Sequence, residues 1–299
     1  MVGALATAEH CRLAFGARPV LGGVSWERRP IDPQPGPRRA EEIENARPLG
    51  PAVLAARADT RVGSSGVRFA ESRMAELLGE ETVVVDANRG PAAIAAGLGE
   101  AAAAFGCDLI VFVDVGGDVL AQGDEPGLGS PLCDAVLLAA AVRLEEAPGP
   151  DVLGAVFGIG CDGELTPDEV LARLDELERA SGVLGRLAID DAVADRLDEA
   201  VAAVPTEASA LALRAFRGES GPVAIRDGRR LVDLRPLAAA TVFFDPAVAV
   251  RTVAPLAAAV AEAEDLDAAN EALHERGVRS ELDWERDAPH TSLPPRSAH

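Results

Sequence analysis

The sequence predicts an α/β protein with a Rossmann-like, mostly parallel sheet flanked by helices and a short antiparallel hairpin near its carboxyl-terminal part. The chain has 299 residues, of which 48% are hydrophobic, so it can bury a sizeable core. Short apolar runs alternate with amphipathic or Ala-rich stretches from Val20 to Phe244, which is typical of helices that cross over between parallel strands. Asp227 and Gly228, between two short apolar runs, indicate the hairpin.

Each apolar run before the hairpin predicts one strand, and a last strand follows it. The predicted strands are Val20 to Ser25, Ala52 to Ala56, Thr82 to Asp86, Leu109 to Asp114, Val152 to Phe157 and Thr241 to Phe244. Two of the intervening helices have clear start signals, because Ser130 and Thr166 each precede a proline at the first helical position. The predicted helices are Val2 to Phe15, Val67 to Leu78, Pro91 to Phe105, Pro131 to Glu146 and Pro167 to Ala180.

After Pro205 the pattern changes from strand and helix alternation to a hairpin and helices. The predicted elements are a helix at Glu207 to Phe216, hairpin strands at Val223 to Arg226 and Arg229 to Leu234, and helices at Pro246 to Glu264 and Leu266 to Arg276. We therefore expect a single α/β domain over residues 1–286. Its parallel-sheet core would span residues 1–204 and its hairpin and carboxyl-terminal helices residues 205–286, followed by a disordered tail at 287–299.

Composition excludes several classes of partner and chemistry. The formal net charge is −21, which would repel nucleic acid and anionic lipid, so we expect neither a nucleic-acid nor a membrane partner. The chain has no apolar run near the roughly 20 residues that cross a bilayer and no basic-then-apolar amino terminus, so we expect a cytoplasmic protein. All 28 basic residues are arginine, which excludes lysine Schiff-base chemistry and a P-loop lysine.

Two predicted strands end in glycine turns that carry acids. In an open parallel sheet, ligands bind outside the carboxyl ends of the strands, where glycine allows close backbone approach. We therefore expect the acids of both turns to face one crevice and to serve acid/base chemistry or a divalent ion. The candidate catalytic residues are Asp114, Asp118, Asp162 and Glu164, and Asp114 and Asp118 are the candidate ligands of a metal such as Mg²⁺.

Two of these acids have a plainer interpretation. Asp118 lies in a long loop, Val115 to Gly129, that could be a solvated Asp/Gly loop, whereas loops between a strand and a helix usually take about two to six residues. Glu164 stands near a helix start, where acids are favoured in any case. Cys161 is a poor nucleophile candidate because its acidic neighbours would raise its thiol pKa.

Two further strand ends suggest binding sites for an anion. Arg61 lies ahead of a Gly-Ser-Ser-Gly turn that opens a helix, and Arg89 follows the strand at Thr82 to Asp86. A simple loop and cap is the alternative for the Gly-Ser-Ser-Gly turn. With the glycines of the first acidic turn, the candidate ligand- and cofactor-binding residues are Gly116, Gly117, Arg61, Ser64, Ser65, Asp86, Asn88 and Arg89.

The proline-rich loop from Trp26 to Arg39 carries an aromatic residue and charges. It could form a lid, a pocket wall or a subunit contact, and a homo-oligomer is one of the states that the sequence leaves open.

An ordered set of motifs resembles one family. The motifs are GGVSWERRPIDPQPGPR at Gly22 to Arg38, RVGSSGVRFAES at Arg61 to Ser72, DVGGD at Asp114 to Asp118, FGIGCDGEL at Phe157 to Leu165, TVFFDP at Thr241 to Pro246 and SELDWER at Ser280 to Arg286. They resemble the domain of unknown function 1152 family over nearly the whole chain. The resemblance implies one continuous unit and brings no reaction with it. It also implies a strand and a glycine-rich loop ahead of the helix at Val2 to Phe15, which we expect to lie upstream of Met1.

The sequence thus predicts an enzyme that acts on a small polar or anionic metabolite, nucleotide-like or phosphorylated, such as a metal-assisted hydrolase or transferase. The alternative is a non-catalytic ligand-binding or regulatory protein that uses the same crevice. A scaffold protein has less support, because scaffolds seldom need acids and glycines at several successive strand ends.

Overall fold

The computed structural model describes residues 1–288. The helices are α1 (Val2–Phe15), α2 (Ala70–Leu78), α3 (Gly90–Phe105), α4 (Pro131–Glu145), α5 (Pro167–Arg179), α6 (Asp191–Ala203), α7 (Ala208–Phe216), α8 (Pro246–Thr252), α9 (Pro255–Val260), α10 (Leu266–His274) and α11 (Glu281–Asp287). The strands are β1 (Gly22–Val24), β2 (Ile43–Glu44), β3 (Arg47–Gly50), β4 (Val53–Ala56), β5 (Arg61–Val62), β6 (Thr82–Val85), β7 (Leu109–Val115), β8 (Asp151–Phe157), β9 (Val183–Ala188), β10 (Gly221–Ile225), β11 (Arg230–Leu234) and β12 (Ala240–Phe244).

The prediction of an α/β fold is confirmed, but the expectation of a mostly parallel sheet is wrong. One four-stranded sheet has the order β1-β6-β4-β3 and another the order β7-β8-β12-β9. Only β1 with β6 and β7 with β8 are parallel in these sheets, whereas β3, β4 and β12 pair antiparallel with their neighbours. Hydrophobic periodicity predicts which residues are buried, but the direction of a strand depends on its connections, and β3 and β4 are joined by a tight turn.

Three elements after α5 are not predicted by the sequence, namely β9, α6 and α11, and one predicted helix is divided. Strand β9 and helix α6 occupy the stretch between the predicted helix at Pro167 to Ala180 and Pro205, and β9 pairs with β12. Four of the six residues of β9 are exposed, so its sequence lacks a continuous apolar run. The helix predicted at Pro246 to Glu264 is split into α8 and α9, because Pro255 cannot continue a helix.

The predicted hairpin is confirmed, with its turn shifted by one residue. Strands β10 and β11 pair antiparallel from Gly221 opposite Leu234 to Ile225 opposite Arg230. The residues with positive φ at the centre of the turn are Arg226 and Asp227 (53° and 56°), as a type I′ turn requires. Of the predicted tail, Asp287 ends α11, and residues 289–299 lie outside the described residues.

A large cleft lies beside the two sheets. Strands β1 and β7 are end strands of their sheets, so each has one edge without a partner strand among residues 1–288. Both line a cleft of about 1370 Å³, together with the start of α1 and the start of α4. The apolar side chains of β7 are half-buried there rather than fully covered. No helix in residues 1–288 combines the length and the hydropathy needed to cross a bilayer.

Candidate functional site

The acidic turn after β7 is built on two glycines with positive φ. Gly116 and Gly117 have φ values of 128° and 113°, which side chains rarely tolerate. The Gly117 N–H donates to the Asp114 carboxylate at 2.8 Å and so holds the side chain at the strand end. A Cβ on Gly116 would lie 2.2 Å from Oδ1 of Asp162, so only glycine allows this close approach. The turn therefore places Asp114 and Asp118 beside the acids that follow β8.

The turn after β8 is fastened to the turn after β7 by backbone hydrogen bonds. The Gly116 N–H donates to the Phe157 carbonyl at 3.0 Å, and the Gly160 N–H donates to the Gly116 carbonyl at 2.7 Å. The side chains of Asp162 and Glu164 are buried, with 5% and 2% exposure of the residues. The sequence prediction that the acids of the two turns meet is therefore matched by the geometry of the cleft.

The structure adds a fifth acid to the cluster, Asp134 in the first turn of α4. One carboxylate oxygen from each of Asp114, Asp118 and Asp134 lies within 4.8 Å of the others, and the same holds for Asp118, Asp162 and Glu164. Asp118 thus belongs to both groups. The sequence does not single out Asp134, because an acid at a helix start is expected for electrostatic reasons alone. The sequence signal that could have indicated its role is its position directly after the long glycine-rich loop. We call these five acids the carboxylate cluster.

Burial dominates the protonation of the cluster. Burial raises the pKa of Asp114 to about 6, and it raises the pKa values of Asp118, Asp134 and Asp162 well above the ordinary range. The negative charges of the neighbouring cluster members act in the same direction. Without a cation the cluster therefore retains protons near neutral pH, and a bound cation would favour their release.

Glu164 differs from the four aspartates because it is surrounded by donors. Its carboxylate accepts hydrogen bonds from the backbone N–H groups of Gly129 and Ser130 and from the Ser130 hydroxyl, each at 2.7 Å. Arg226 and Arg230 lie 3.4 Å from its Oε1. Burial alone would raise the pKa of Glu164, but these donors and charges lower it. Glu164 is therefore an anchored carboxylate that fixes the loop before α4.

Asp162 is the least satisfied member of the cluster. Both of its carboxylate oxygens are buried and neither has a well-formed hydrogen bond within residues 1–288, although the nearby Glu164 N–H opposes the rise of its pKa. Burying a carboxyl group without partners is costly unless a ligand or ion completes its environment. This orphaned group, in contact with the turn at Gly116, points to a ligand of the cluster.

The carboxyl-terminal helix closes one side of the cleft. Glu281 in α11 accepts hydrogen bonds from the backbone N–H groups of Leu132 (3.0 Å) and Cys133 (2.8 Å) and so caps α4. Burial raises the pKa of Glu281 to about 7. Glu285 accepts from the Trp26 indole at 3.1 Å, which fixes the proline-rich loop against α11. Trp26 lines the cleft, so of the three alternatives for this loop the structure shows a pocket wall.

The predicted anion-binding residues do not join the cluster. Arg61, Ser64 and Ser65 are exposed, and Arg61 pairs with Glu44 at 3.4 Å. Among the residues described, the lining of the cleft includes neither these three nor Asp86, Asn88 and Arg89.

Asp86 and Arg89 have structural partners instead. The Asp86 carboxylate is fully buried and accepts from the Ala40 N–H at 2.9 Å and the Asn88 N–H at 3.0 Å. Arg89 pairs with Glu41. The contacts of Asp86 and Asn88 are therefore those of a structural loop with a helix cap.

One comparison with known proteins gives a match. A family model described as "Protein of unknown function (DUF1152)" matches residues 1–289 of the chain. No curated protein and no solved structure matches it.

Proposed function

We propose that this chain, which belongs to the DUF1152 family, is a divalent-metal-dependent hydrolase or transferase acting on a small anionic metabolite, phosphorylated or nucleotide-like. The observation that carries the proposal is Asp162, a buried carboxyl group with two unpartnered oxygens inside a cluster of four other acids. In this proposal the ligand binds as in Rossmann-like folds, outside the carboxyl ends of the strands, because the acids follow the carboxyl ends of β7 and β8.

The donor set of the cluster fits a hard cation. Mg²⁺ and Mn²⁺ prefer carboxylate oxygens, and the two groups of three acids supply only such atoms. We assign Asp118 and Asp162 as the principal ligands, with Asp114 and Asp134 completing the set. When bound, the ion would neutralise the charge on an anionic substrate and polarise the bond to be broken.

The remaining residues of the site would position an anionic substrate. Glu164 is held ionised by its donors, so it acts by fixing Ser130 and the Arg226 side chain at the cleft rather than by exchanging protons. Arg226 lines the cleft and provides a positive charge for an anionic substrate.

The composition and the size of the cleft favour a small-molecule substrate. The net charge of −21 argues against nucleic acid as the substrate, and a small molecule fits a cleft of about 1370 Å³. We place the protein in the cytoplasm, as a monomer or a homo-oligomer, on the grounds given by the sequence.

Binding of Mn²⁺ tests the metal site directly, by isothermal titration calorimetry and electron paramagnetic resonance. We expect one class of tight sites in the parent chain and a loss of affinity of about tenfold or more in Asp162→Asn and Asp118→Asn. Asp124→Asn is the matched control, because Asp124 is exposed in the same loop and outside the cluster. Equal Mn²⁺ affinity in the parent and both cluster variants would contradict the proposal.

Turnover separates an enzyme from a binding protein. Phosphate release from a panel of phosphorylated metabolites should require Mg²⁺ or Mn²⁺ and should fall by about 100-fold or more in Asp118→Asn. If the metabolite that copurifies with the chain binds with the ion but is never converted, the non-catalytic alternative is the correct function.

A further inference from the structure

A second pair of acids, Glu27 and Glu71, lines the same cleft outside the carboxylate cluster. Glu27 lies in the loop that follows β1, and Glu71 lies in the first turn of α2. The two side chains are close enough for the charge of Glu27 to contribute to the raised pKa of Glu71, after the larger effect of burial. The role proposed above for the cluster does not use them.

Glu71 is an incompletely satisfied buried group. The residue is 3% exposed, and its Oε2 has no hydrogen-bond partner in residues 1–288. Glu27 is better placed, because its Oε1 accepts the Ala70 N–H at 2.5 Å and so caps α2. Oε2 of Glu71 is therefore a buried acceptor without a hydrogen-bond partner, in a residue that lines the cleft.

Strand β1 has a glycine where the Glu71 carboxylate approaches its backbone. A Cβ on Gly23 would lie 2.0 Å from Oε1 of Glu71, so any larger residue at this position would displace the carboxylate. Glycine at position 23 thus permits the Glu71 side chain to sit against β1. The position of the carboxylate depends on this close approach rather than on an ion pair.

No arginine in the described part of the chain forms an ion pair with Glu27 or Glu71. Arg73, Arg28 and the amino group of Met1 act on the pair only from beyond ion-pair distance. The cleft as a whole is also acidic, since the cluster, Glu281 and Glu285 line it. A positive charge is therefore the group that would most stabilise two adjacent carboxylates in a desolvated site.

We propose that Glu27 and Glu71 bind a cationic nitrogen of the ligand, a primary ammonium or a guanidinium group, while the anionic part of the same ligand meets the ion at the carboxylate cluster. Only the contact between the anionic part of the ligand and the ion rests on the proposed function. An ammonium or guanidinium group supplies several donors to two carboxylates and neutralises their repulsion. A metal ion fits less well, because the pair offers two acids rather than a full oxygen shell.

The experiment compares two probes of similar size, 1,3-diaminopropane and the neutral 1,3-propanediol, by calorimetry and thermal shift at pH 7. We expect saturable binding of the diamine and no binding of the diol at the same concentrations. Glu71→Gln and Glu27→Gln should each weaken diamine binding by about tenfold. Glu80→Gln is the control for general electrostatic attraction of the diamine, since Glu80 is an exposed acid that lines the same cleft. The affinity of this variant for the diamine should stay within about twofold of the parent value.

Three results would overturn the inference: equal binding of the diol, diamine binding unchanged by both glutamine variants, or an equal loss in Glu80→Gln. If Glu71→Gln does not fold, Glu27→Gln and the comparison of the two probes on the parent chain still decide. Mn²⁺ titration of the same proteins separates this inference from the proposed function. If the parent chain binds Mn²⁺ but not the diamine, only the inference is contradicted, and if the parent chain binds the diamine but not Mn²⁺, only the metal site is contradicted.

Discussion

Replacing Asp114 by asparagine should stabilise the metal-free protein at high pH. The asparagine side chain retains an oxygen that can accept the Gly117 N–H, so the turn after β7 keeps its hydrogen bond. What the variant loses is a charge that the folded state disfavours. We expect the opposite effect of the same substitution once a divalent ion is bound.

The magnitude follows from the pKa of Asp114. Burial raises this pKa from 3.8 to about 6, and each pKa unit corresponds to 1.36 kcal/mol. Because the raised pKa belongs to the folded state, the folded state binds more protons between about pH 4 and pH 6, and stability falls as the pH rises through that window. Above pH 6 the cost is about 3 kcal/mol, and below about pH 4 it disappears because both states are protonated.

The assay is urea unfolding in EDTA at pH 8 and at pH 4, with and without Mn²⁺. Asp114→Asn should be more stable than the parent by up to about 3 kcal/mol at pH 8, or about 6 °C in Tm, and equal to it at pH 4. Saturating Mn²⁺ should stabilise the parent by about 2.7 kcal/mol at 100 times its Kd and the variant by less. A variant that is less stable at pH 8 in EDTA, or that gains as much from Mn²⁺ as the parent, would refute the reasoning. Asp124→Asn controls for loss of a charge in the same loop.

Three further predictions test packing, the Glu164 anchor and the open edge of β7. Gly97→Ala in α3 should lower the free energy of unfolding by about 2 to 3 kcal/mol, because its Cβ would lie 1.8 Å from the Pro51 carbonyl oxygen. Gly149→Ala is the control, since a Cβ there meets nothing within 4 Å, and it should change the free energy of unfolding by under about 0.5 kcal/mol. Equal urea midpoints of the two variants would disprove the close contact. Glu164→Gln removes the counter-charge of two arginines and should cost about 2 to 3 kcal/mol in urea unfolding, and an unchanged midpoint would show that the anchor contributes little. In hydrogen exchange by NMR, the β7 amides that face the cleft should exchange faster than those paired with β8, and uniform protection along β7 would contradict an unpaired edge in this chain.

The acids at the ends of β7 and β8 could be predicted because a local pattern determines their position. Each follows an apolar run that ends in glycine, and parallel neighbouring strands bring their carboxyl ends together. The sequence therefore predicts that Asp114 and Asp162 lie near each other. Asp134 could not be placed in the same way, because it reaches the cluster from a helix whose start is set by the long loop before it.

Other features depend on long-range packing that no local pattern encodes. The antiparallel direction of β12 follows from its insertion between β8 and β9, and β9 itself is too exposed to form an apolar run. The turn at Ser64 and Ser65 has the composition of an anion site, yet its hydroxyls are exposed and away from the residues that line the cleft. Composition identifies what a turn can bind, whereas the fold decides whether the turn faces the site.

The location of Mn²⁺ in crystals of the chain, measured by anomalous diffraction, tests the proposed metal site. We predict an anomalous peak bounded by carboxylate oxygens of Asp118 and Asp162, and its absence in crystals of Asp162→Asn grown under the same conditions. A peak at another place in the fold, or no peak at a Mn²⁺ concentration that saturates binding in solution, would contradict the assignment of the carboxylate cluster as a metal site.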